Sequence, residues 1–292
     1  MVLGAGGQLG RTLVQTLRGT ESEEDVLGFT HHQADITNAS QIEYLVQKFS
    51  PDQIVNAAAW TDVPAAESNI VMASKVNTQG AVNVAIAARN SGSSLIHIST
   101  DYVFSGNQLT PIAENYPQDP LNMYGQTKAA AEKLLTKDFR DSAVIIRTAW
   151  LYGPKGRNFA RTIIGKAIQD KDEDIQVVND QWGQPTSTLD LADKIVEIGN
   201  KGIKSGIFHG TNAGKTNWYE FARFLLESAG LNSSRIKPVS SSKFSTQVNR
   251  PIYSVLGHKS WEDSGILPMR DWKLPANELA KILRNEVESG LQ

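Results

Sequence analysis

Apolar positions in the first half fall into short runs separated by longer stretches that repeat every three to four residues. The short runs cover residues 1–3, 26–30, 53–58, 95–99 and 144–148. They lack polar-apolar alternation, as strands do when both faces are covered. Between them, residues 9–17, 42–49, 71–88 and 124–135 carry the spacing of amphipathic helices, and Pro51 closes the second. Strands alternating with helices predict an α/β fold with a doubly wound parallel sheet. Only three residues precede Gly4, against about five or six in an average strand, so the chain is expected to begin part-way through its first strand.

After Trp150 the texture changes. Trp, Gly, Pro and Asn become frequent, and helical periods at 158–168 and 218–228 are separated by irregular segments. The reading is a dinucleotide-binding domain over 1–150 and a smaller, mainly substrate-binding domain over 151–292. The run near 206–211 looks like a strand returning to the first sheet, so the boundary is discontinuous.

Composition narrows the function classes. The 292 residues are 40% hydrophobic and 21% charged, which suits a globular chain. A net charge of -2 gives no field favouring nucleic acid or an anionic membrane. The apolar stretches, residues 81–88 among them, are too interrupted to span a bilayer, and no charged-then-apolar leader precedes the first glycine. The absence of cysteine excludes disulfides, thiolate metal sites and a cysteine nucleophile, and fits a cytoplasmic protein.

Two constellations carry chemistry. Gly4, Gly7 and Gly10 lie between a predicted strand and a predicted helix, where small residues admit a pyrophosphate and the helix start offers free amides. Gln8 and Leu9 open that helix. A tight turn without ligand is the bland alternative, and the strand–loop–helix setting weighs against it. An acid normally ends the second strand to hold the NAD ribose. Here Thr30, His31 and His32 stand there, which favours NADP(H) while leaving NAD(H) usable. The two histidines read equally well as an exposed loop pair or a phosphate contact, and no metal is assigned to them. Asp35, Ile36, Ala57, Ala58, Ala59, Trp60, Thr61, Ile98 and Ser99 follow strand ends and complete the candidate cofactor set. Small alanines there also suit plain helix-sheet packing.

The second constellation is Tyr124 and Lys128. Four residues apart on a helix, they share one face. An ammonium beside a phenol is expected to lower the phenol's pKa from ~10 and make it a usable acid or base. A solvated helix face is the ordinary alternative for such a pair.

The glycine loop, Asn56 to Thr61, Ser99-Thr100-Asp101-Tyr102-Val103-Phe104 and Tyr124-Gly125-Gln126-Thr127-Lys128 together resemble the extended short-chain dehydrogenase/reductases, which have a Rossmann-type fold. Arg147 to Gly153, Asn158-Phe159, Asn179 to Thr186 and Arg250-Pro251 narrow the resemblance to the dTDP-4-dehydrorhamnose reductases, over nearly the whole chain. The resemblance implies reduction of the C4 ketone of dTDP-4-dehydro-L-rhamnose to dTDP-L-rhamnose. It implies Thr100, Tyr124 and Lys128 as catalytic residues, the last two also touching the cofactor. It implies Thr100, Asp101, Tyr102, Trp150, Asn158, Gln181, Thr186 and Arg250 as substrate-binding, with Arg250 on the diphosphate. It also implies a monomer or homodimer, alone or joined to the pathway's epimerase. Magnesium held by surface carboxylates in some members has no assignable ligands here. Two positions depart from the family pattern: Val63 to Glu67 lacks its usual acid, and Ala131 replaces the usual glycine before Glu132.

Two other readings compete with this one. The enzymatic rival is another nucleotide-sugar enzyme, an epimerase or a 4,6-dehydratase; a dehydratase would want an acid pair, Asp-Glu, after Thr100, and this chain has Asp101-Tyr102. A non-catalytic NADP-binding subunit, like the regulatory subunit of methionine adenosyltransferase, should show eroded catalytic positions, and Thr100, Tyr124, Lys128 and Trp150 are all present.

Overall fold

The computed structural model describes residues 1–170, 173–243 and 248–289. Strands β1 (Val2–Leu3), β2 (Gly28–Phe29), β3 (Gln53–Asn56), β4 (Ser94–Thr100) and β5 (Ala143–Thr148) run parallel in the order β5-β4-β3-β1-β2. The strand Gly206–His209 adds to the far side of β5, with Ile207 beside Ile145. Val2 is held between Gly28 and Val55. The chain therefore leaves β1 to one side for β2 and returns to the other for β3. That reversal opens a crevice at the carboxyl ends of the strands.

The helices that frame the crevice are α1 (Gln8–Arg18), α2 (Ala39–Phe49), α3 (Val63–Ser68), α4 (Ile70–Ser74), α5 (Ala81–Ser91) and α6 (Met123–Asp138). On one sheet face Leu9 and Leu13 of α1 pack with Leu191 and Ile195 of the helix Thr188–Asn200 over Ile96 and Val144. On the other face Ile42 and Val46 of α2 and Val84 and Ala88 of α5 cover Leu3, Ile54 and Leu95. A separate core gathers the helices Phe159–Gln169, Trp218–Ser228 and Lys273–Glu288 around Phe221 and Leu225. Full burial of each such side chain contributes about 1.5–3 kcal/mol.

The apolar period over residues 71–88 predicts one helix, and the structure divides it. A π-helical turn, Lys75–Gly80, separates α4 from α5. Tertiary hydrogen bonds account for the wide turn. Asn77 accepts from the Trp60 amide at 2.8 Å and donates to the Trp60 carbonyl and to Thr127 Oγ1, while Thr78 donates to the Thr127 carbonyl at 2.8 Å. Such turns concentrate at functional sites, and this one ties α6 to the loop after β3.

A buried ion pair fixes the inner face of α6. Arg147 of β5 meets Glu132 at 2.7 Å, both nearly inaccessible, and also donates to the Glu114 carbonyl. Ser99 donates to Glu132 Oε1 at 2.5 Å. Asn122 caps the helix through the Gly125 amide, and Glu67 accepts from the Met123 amide. The segment Val63 to Glu67, which departs from the family pattern, thus supplies a contact that orients α6.

Candidate active site

The crevice holds a cleft of about 830 Å³, walled by the glycine loop, the ends of β3 to β5, α6 and residues from beyond Trp150. Gly4 takes φ +84°, and a Cβ there would meet Ala58 N at 2.6 Å. A Cβ on Gly10 would lie 2.2 Å from the Gly4 carbonyl oxygen. The loop is therefore folded back on itself and on β3, where only glycine fits. Gly7 starts α1 without a side-chain cap, and no acid stands in the first turn. That leaves the amides and the positive end of the helix dipole for an anion.

The cofactor candidates Gly4, Gly7, Gln8, Leu9, His31, Asp35, Ile36, Ala57, Ala58, Ala59, Trp60, Thr61, Ile98, Ser99, Tyr124 and Lys128 all line the cleft. Thr30 does not: its amide and hydroxyl both point to Gln33 Oε1, at 2.9 and 2.8 Å. The Ser99 hydroxyl is committed to Glu132. Burial works against the Asp35 carboxylate, but hydrogen bonds from Thr37 and the nearby His31 and Lys75 hold its pKa below the ordinary value.

At the centre, Thr100, Asp101, Tyr102 and Tyr124 meet. Thr100 donates to Asp101 Oδ1 at 3.1 Å and stands beside the Tyr124 phenol, whose pKa it pulls down. The Tyr102 and Tyr124 rings meet edge to face at 5.9 Å. Burial pushes the Asp101 carboxyl up to about 6, against hydrogen bonds from Ser254 and Thr100. It pushes Tyr102 up to about 12, with the Arg250 charge opposing.

Tyr124 departs from the sequence expectation. Its pKa is raised, first by burial and then by Asp101 and Tyr102, with only Thr100 pulling it down. Lys128 does not offset this, because its ammonium nitrogen is turned to β4. It donates to the Ile98 carbonyl at 2.6 Å and lies 3.1 Å from His97 Nε2. Burial brings Lys128 itself down to about 8, with Glu132 opposing. Helical spacing placed both side chains on one face but could not show where the lysine nitrogen finds its acceptors.

Among the substrate candidates, Thr100, Asp101, Tyr102, Trp150 and Arg250 line the cleft, and Asn158, Gln181 and Thr186 do not. Asn158 caps the helix Phe159–Gln169 by accepting from the Arg161 amide, and donates to the Gly153 carbonyl. Thr186 is fully buried and donates to the Gln184 carbonyl. Gln181 stands half-buried outside the walls. The first two are consumed by the local fold. Trp150 has φ +46°, a strained value for a bulky residue. It stacks on Trp218 at 3.6 Å and lies against Gly183. Trp218, which no sequence signal marks, thereby joins the wall, as do Thr148 and Met72.

The cleft fits a dinucleotide and a polar second ligand. Among the described residues, the buried atoms without a hydrogen-bond partner are Gln8 Oε1, Asp101 Oδ2, Thr148 Oγ1, Tyr152 Oη and Arg250 Nε, and all but Tyr152 belong to residues lining it. Buried polar atoms left unpaired cost about 1–3 kcal/mol each, so their convergence on one cavity points to a ligand that satisfies them. No cluster of three or more His, Asp or Glu side chains able to hold a metal occurs among the described residues. No helix among them is long and apolar enough to cross a membrane.

Fold and site together define an NADP(H)-dependent oxidoreductase of the extended short-chain dehydrogenase/reductase class, with the Rossmann sheet and the Tyr-x-x-x-Lys helix on one cleft. Residues 1–285 match the family model described as the RmlD substrate binding domain. A dTDP-4-keto-6-deoxy-D-glucose reductase from Streptomyces niveus is 43% identical over 93% of this chain and 93% of its own length. A dTDP-4-dehydrorhamnose reductase from Streptomyces griseus is 37% identical over 95% and 91%. The crystal structure of dTDP-4-dehydrorhamnose reductase from Bacillus anthracis in complex with NADP superposes with a TM-score of 0.87 at 36% identity, covering 95% of each chain. The chain belongs to the RmlD family.

Proposed function

We propose that this protein reduces the C4 ketone of a dTDP-linked 4-keto-6-deoxyhexose, with dTDP-4-dehydro-L-rhamnose as substrate and dTDP-L-rhamnose as product. The observation that carries the reading is the Tyr124 phenol beside Thr100, which pulls its pKa down, set in the same cleft as the free start of α1. When bound there, NADPH supplies the hydride. Tyr124 gives its proton to the oxygen that becomes alkoxide, and Thr100 donates a second hydrogen bond to it. The raised Tyr124 pKa keeps the phenol protonated at neutral pH, as an acid awaiting a stronger base must be. Asp101 and Tyr102 stand beside the reacting carbon, Trp150 and Trp218 form the apolar wall against the sugar ring, and Arg250 takes the diphosphate or an oxygen next to it. Lys128 holds the nicotinamide ribose. NADPH is favoured because no acid ends β2.

The test is NADPH oxidation with the 4-keto sugar made in situ by a dehydratase, with and without a 3,5-epimerase. Turnover that requires the epimerase supports the L-rhamnose substrate. Turnover without it assigns the D-gluco sugar for which the Streptomyces niveus relative is named. No turnover in either arm defeats the reading.

A further inference from the structure

Across Thr100 from the glycine loop, β5 ends on Thr148. The residue is 6% exposed and lines the cleft, and its Oγ1 is buried with no hydrogen-bond partner. Thr148 stands in register with Thr100 on the adjacent strand β4. Ile146 and Ile98, two residues before each, pack with Leu9 of α1 on one face of the sheet. Side chains in a strand return to the same face every second residue, so Thr148 and Thr100 project from that face side by side.

A buried hydroxyl without a partner is unfavourable unless something in the cleft completes it. The other unpaired atoms of the cleft lie elsewhere: Gln8 is at the start of α1, and Asp101 and Arg250 belong to the substrate side. The chemistry of the cofactor decides what reaches Thr148. Hydride leaves C4 of the nicotinamide, and the carboxamide is carried on the neighbouring C3. Tyr124 and Thr100 mark the place of the ketone oxygen, so the carboxamide must lie close to Thr100. From a pyrophosphate at the start of α1, the nicotinamide arm crosses β3 and then β4. The next strand end is that of β5, about 4.8 Å further on. We propose that the Thr148 hydroxyl binds the nicotinamide carboxamide and so fixes the ring beside Thr100 and Tyr124.

The surroundings suit that assignment. A hydroxyl has one hydrogen to give and two lone pairs, so it can meet either the oxygen or the NH2 of the amide. Leu9, Ile98 and Leu151, packed on the same face, line the cleft together with Ala149. They offer an aromatic ring apolar contact. Holding the carboxamide stops rotation about the glycosidic bond and keeps one ring face towards the ketone. The hydroxyl therefore serves orientation of the hydride donor rather than proton transfer.

The inference rests on the reading of Tyr124 and Thr100 given above, but its test needs no sugar, so failure of the C4-ketone assignment leaves the binding comparison standing. Thr148→Val keeps the shape of the side chain and removes the hydroxyl. NADPH affinity, by fluorescence titration, should fall by about fivefold. Affinity for 2′-phospho-ADP-ribose, which carries no nicotinamide, should be unchanged by calorimetric titration. Thr148→Ser should bind NADPH as the wild type does. The melting temperature of ligand-free Thr148→Val should not fall, because the hydroxyl has no partner to lose in the free protein. Equal losses for both ligands, or a lower melting temperature, would make Thr148 part of the fold and overturn the proposal. Unchanged NADPH affinity would overturn it as well, and a raised KM for the nucleotide sugar in that case would give the hydroxyl to the substrate. Should Thr148→Val not fold, Thr148→Ala carries the same comparison of the two ligands.

Discussion

The two walls of the cleft are made of different material. The cofactor wall is backbone: glycines at 4, 7 and 10, alanines at 57–59 and the open first turn of α1, all within one sheet edge. The substrate wall is side chains drawn from far apart in the chain: Tyr102 after β4, Trp150 after β5, Trp218 at a helix start and Arg250 in a loop. A backbone wall depends on local geometry and admits any ligand with the right phosphate spacing. A side-chain wall depends on convergence across about 150 residues, and it is where a change of sugar would be accommodated. The catalytic pair Tyr124 and Thr100 stands at the seam.

The sharpest break of this contrast is at the seam itself. Tyr124→Phe keeps the ring against Tyr102 and removes only the proton. It should lower kcat by about 100- to 10,000-fold with NADPH affinity and melting temperature unchanged. Steady-state kinetics beside fluorescence titration of NADPH check it, and a near wild-type kcat would end the assignment of Tyr124 as the acid.

The next largest effect lies beneath both walls. Arg147→Met leaves the Glu132 carboxylate buried without its cation. Such a loss costs about 3–5 kcal/mol, and the double variant with Glu132→Gln should recover much of it. Urea denaturation of the three proteins measures this. A cost below about 1 kcal/mol would show that water reaches Glu132.

Strands β1 to β5 fall on the apolar runs, because parallel strands buried on both faces read as near-continuous apolar stretches. The glycine loop was legible for the same reason: its requirement is local. The break at Lys75–Gly80 was not legible. The apolar period runs through it, and the hydrogen bonds from Asn77 to Trp60 and Thr127 that open the turn are tertiary. Asn158 and Thr186 sit in motifs shared with the family, yet their side chains are spent on a helix cap and a buried turn. Motif membership alone does not separate a ligand contact from a fold contact. Trp218 and His97 lie in a predicted helix and a predicted strand, and nothing in those patterns marks either as a site residue. Each matters through a partner distant in sequence, Trp150 for the first and Asn56 and Lys128 for the second.

Asp101 links the substrate wall to pH. Its pKa is 3.8 as a free side chain and about 6 when folded, so the folded protein holds this proton more tightly. The stability it contributes is complete below the lower value and is lost as pH rises through the upper one. Two units correspond to about 3 kcal/mol. Asp101→Asn cannot ionise, so the difference in unfolding free energy between wild type and variant should change by that order between about pH 4 and pH 7. Urea midpoints across that range test it, and parallel curves would show the carboxyl to be solvated.

The smallest effect should come from the cofactor wall, and it tests whether that wall is as indifferent to side chains as its construction suggests. Thr30 does not line the cleft, but its methyl lies over the glycine loop, where a Cβ on Gly6 would come within 3.6 Å of Thr30 Cγ2. Thr30→Asp places a carboxylate at the end of β2, where it can accept from a ribose 2′-hydroxyl and repels a 2′-phosphate. Gln33 now bonds the Thr30 hydroxyl through its oxygen, and turning its amide to present NH2 would accommodate the new acceptor. A like-charge contact near the surface costs about 1 kcal/mol, roughly fivefold in affinity. KM for NADPH should therefore rise by about that factor and KM for NADH fall, with kcat and the KM for the nucleotide sugar unchanged. Initial rates with each cofactor at matched concentrations decide it. A change in the sugar's KM would mean that the two walls are mechanically coupled across the seam, and an unchanged NADPH KM would place the 2′-phosphate away from the end of β2.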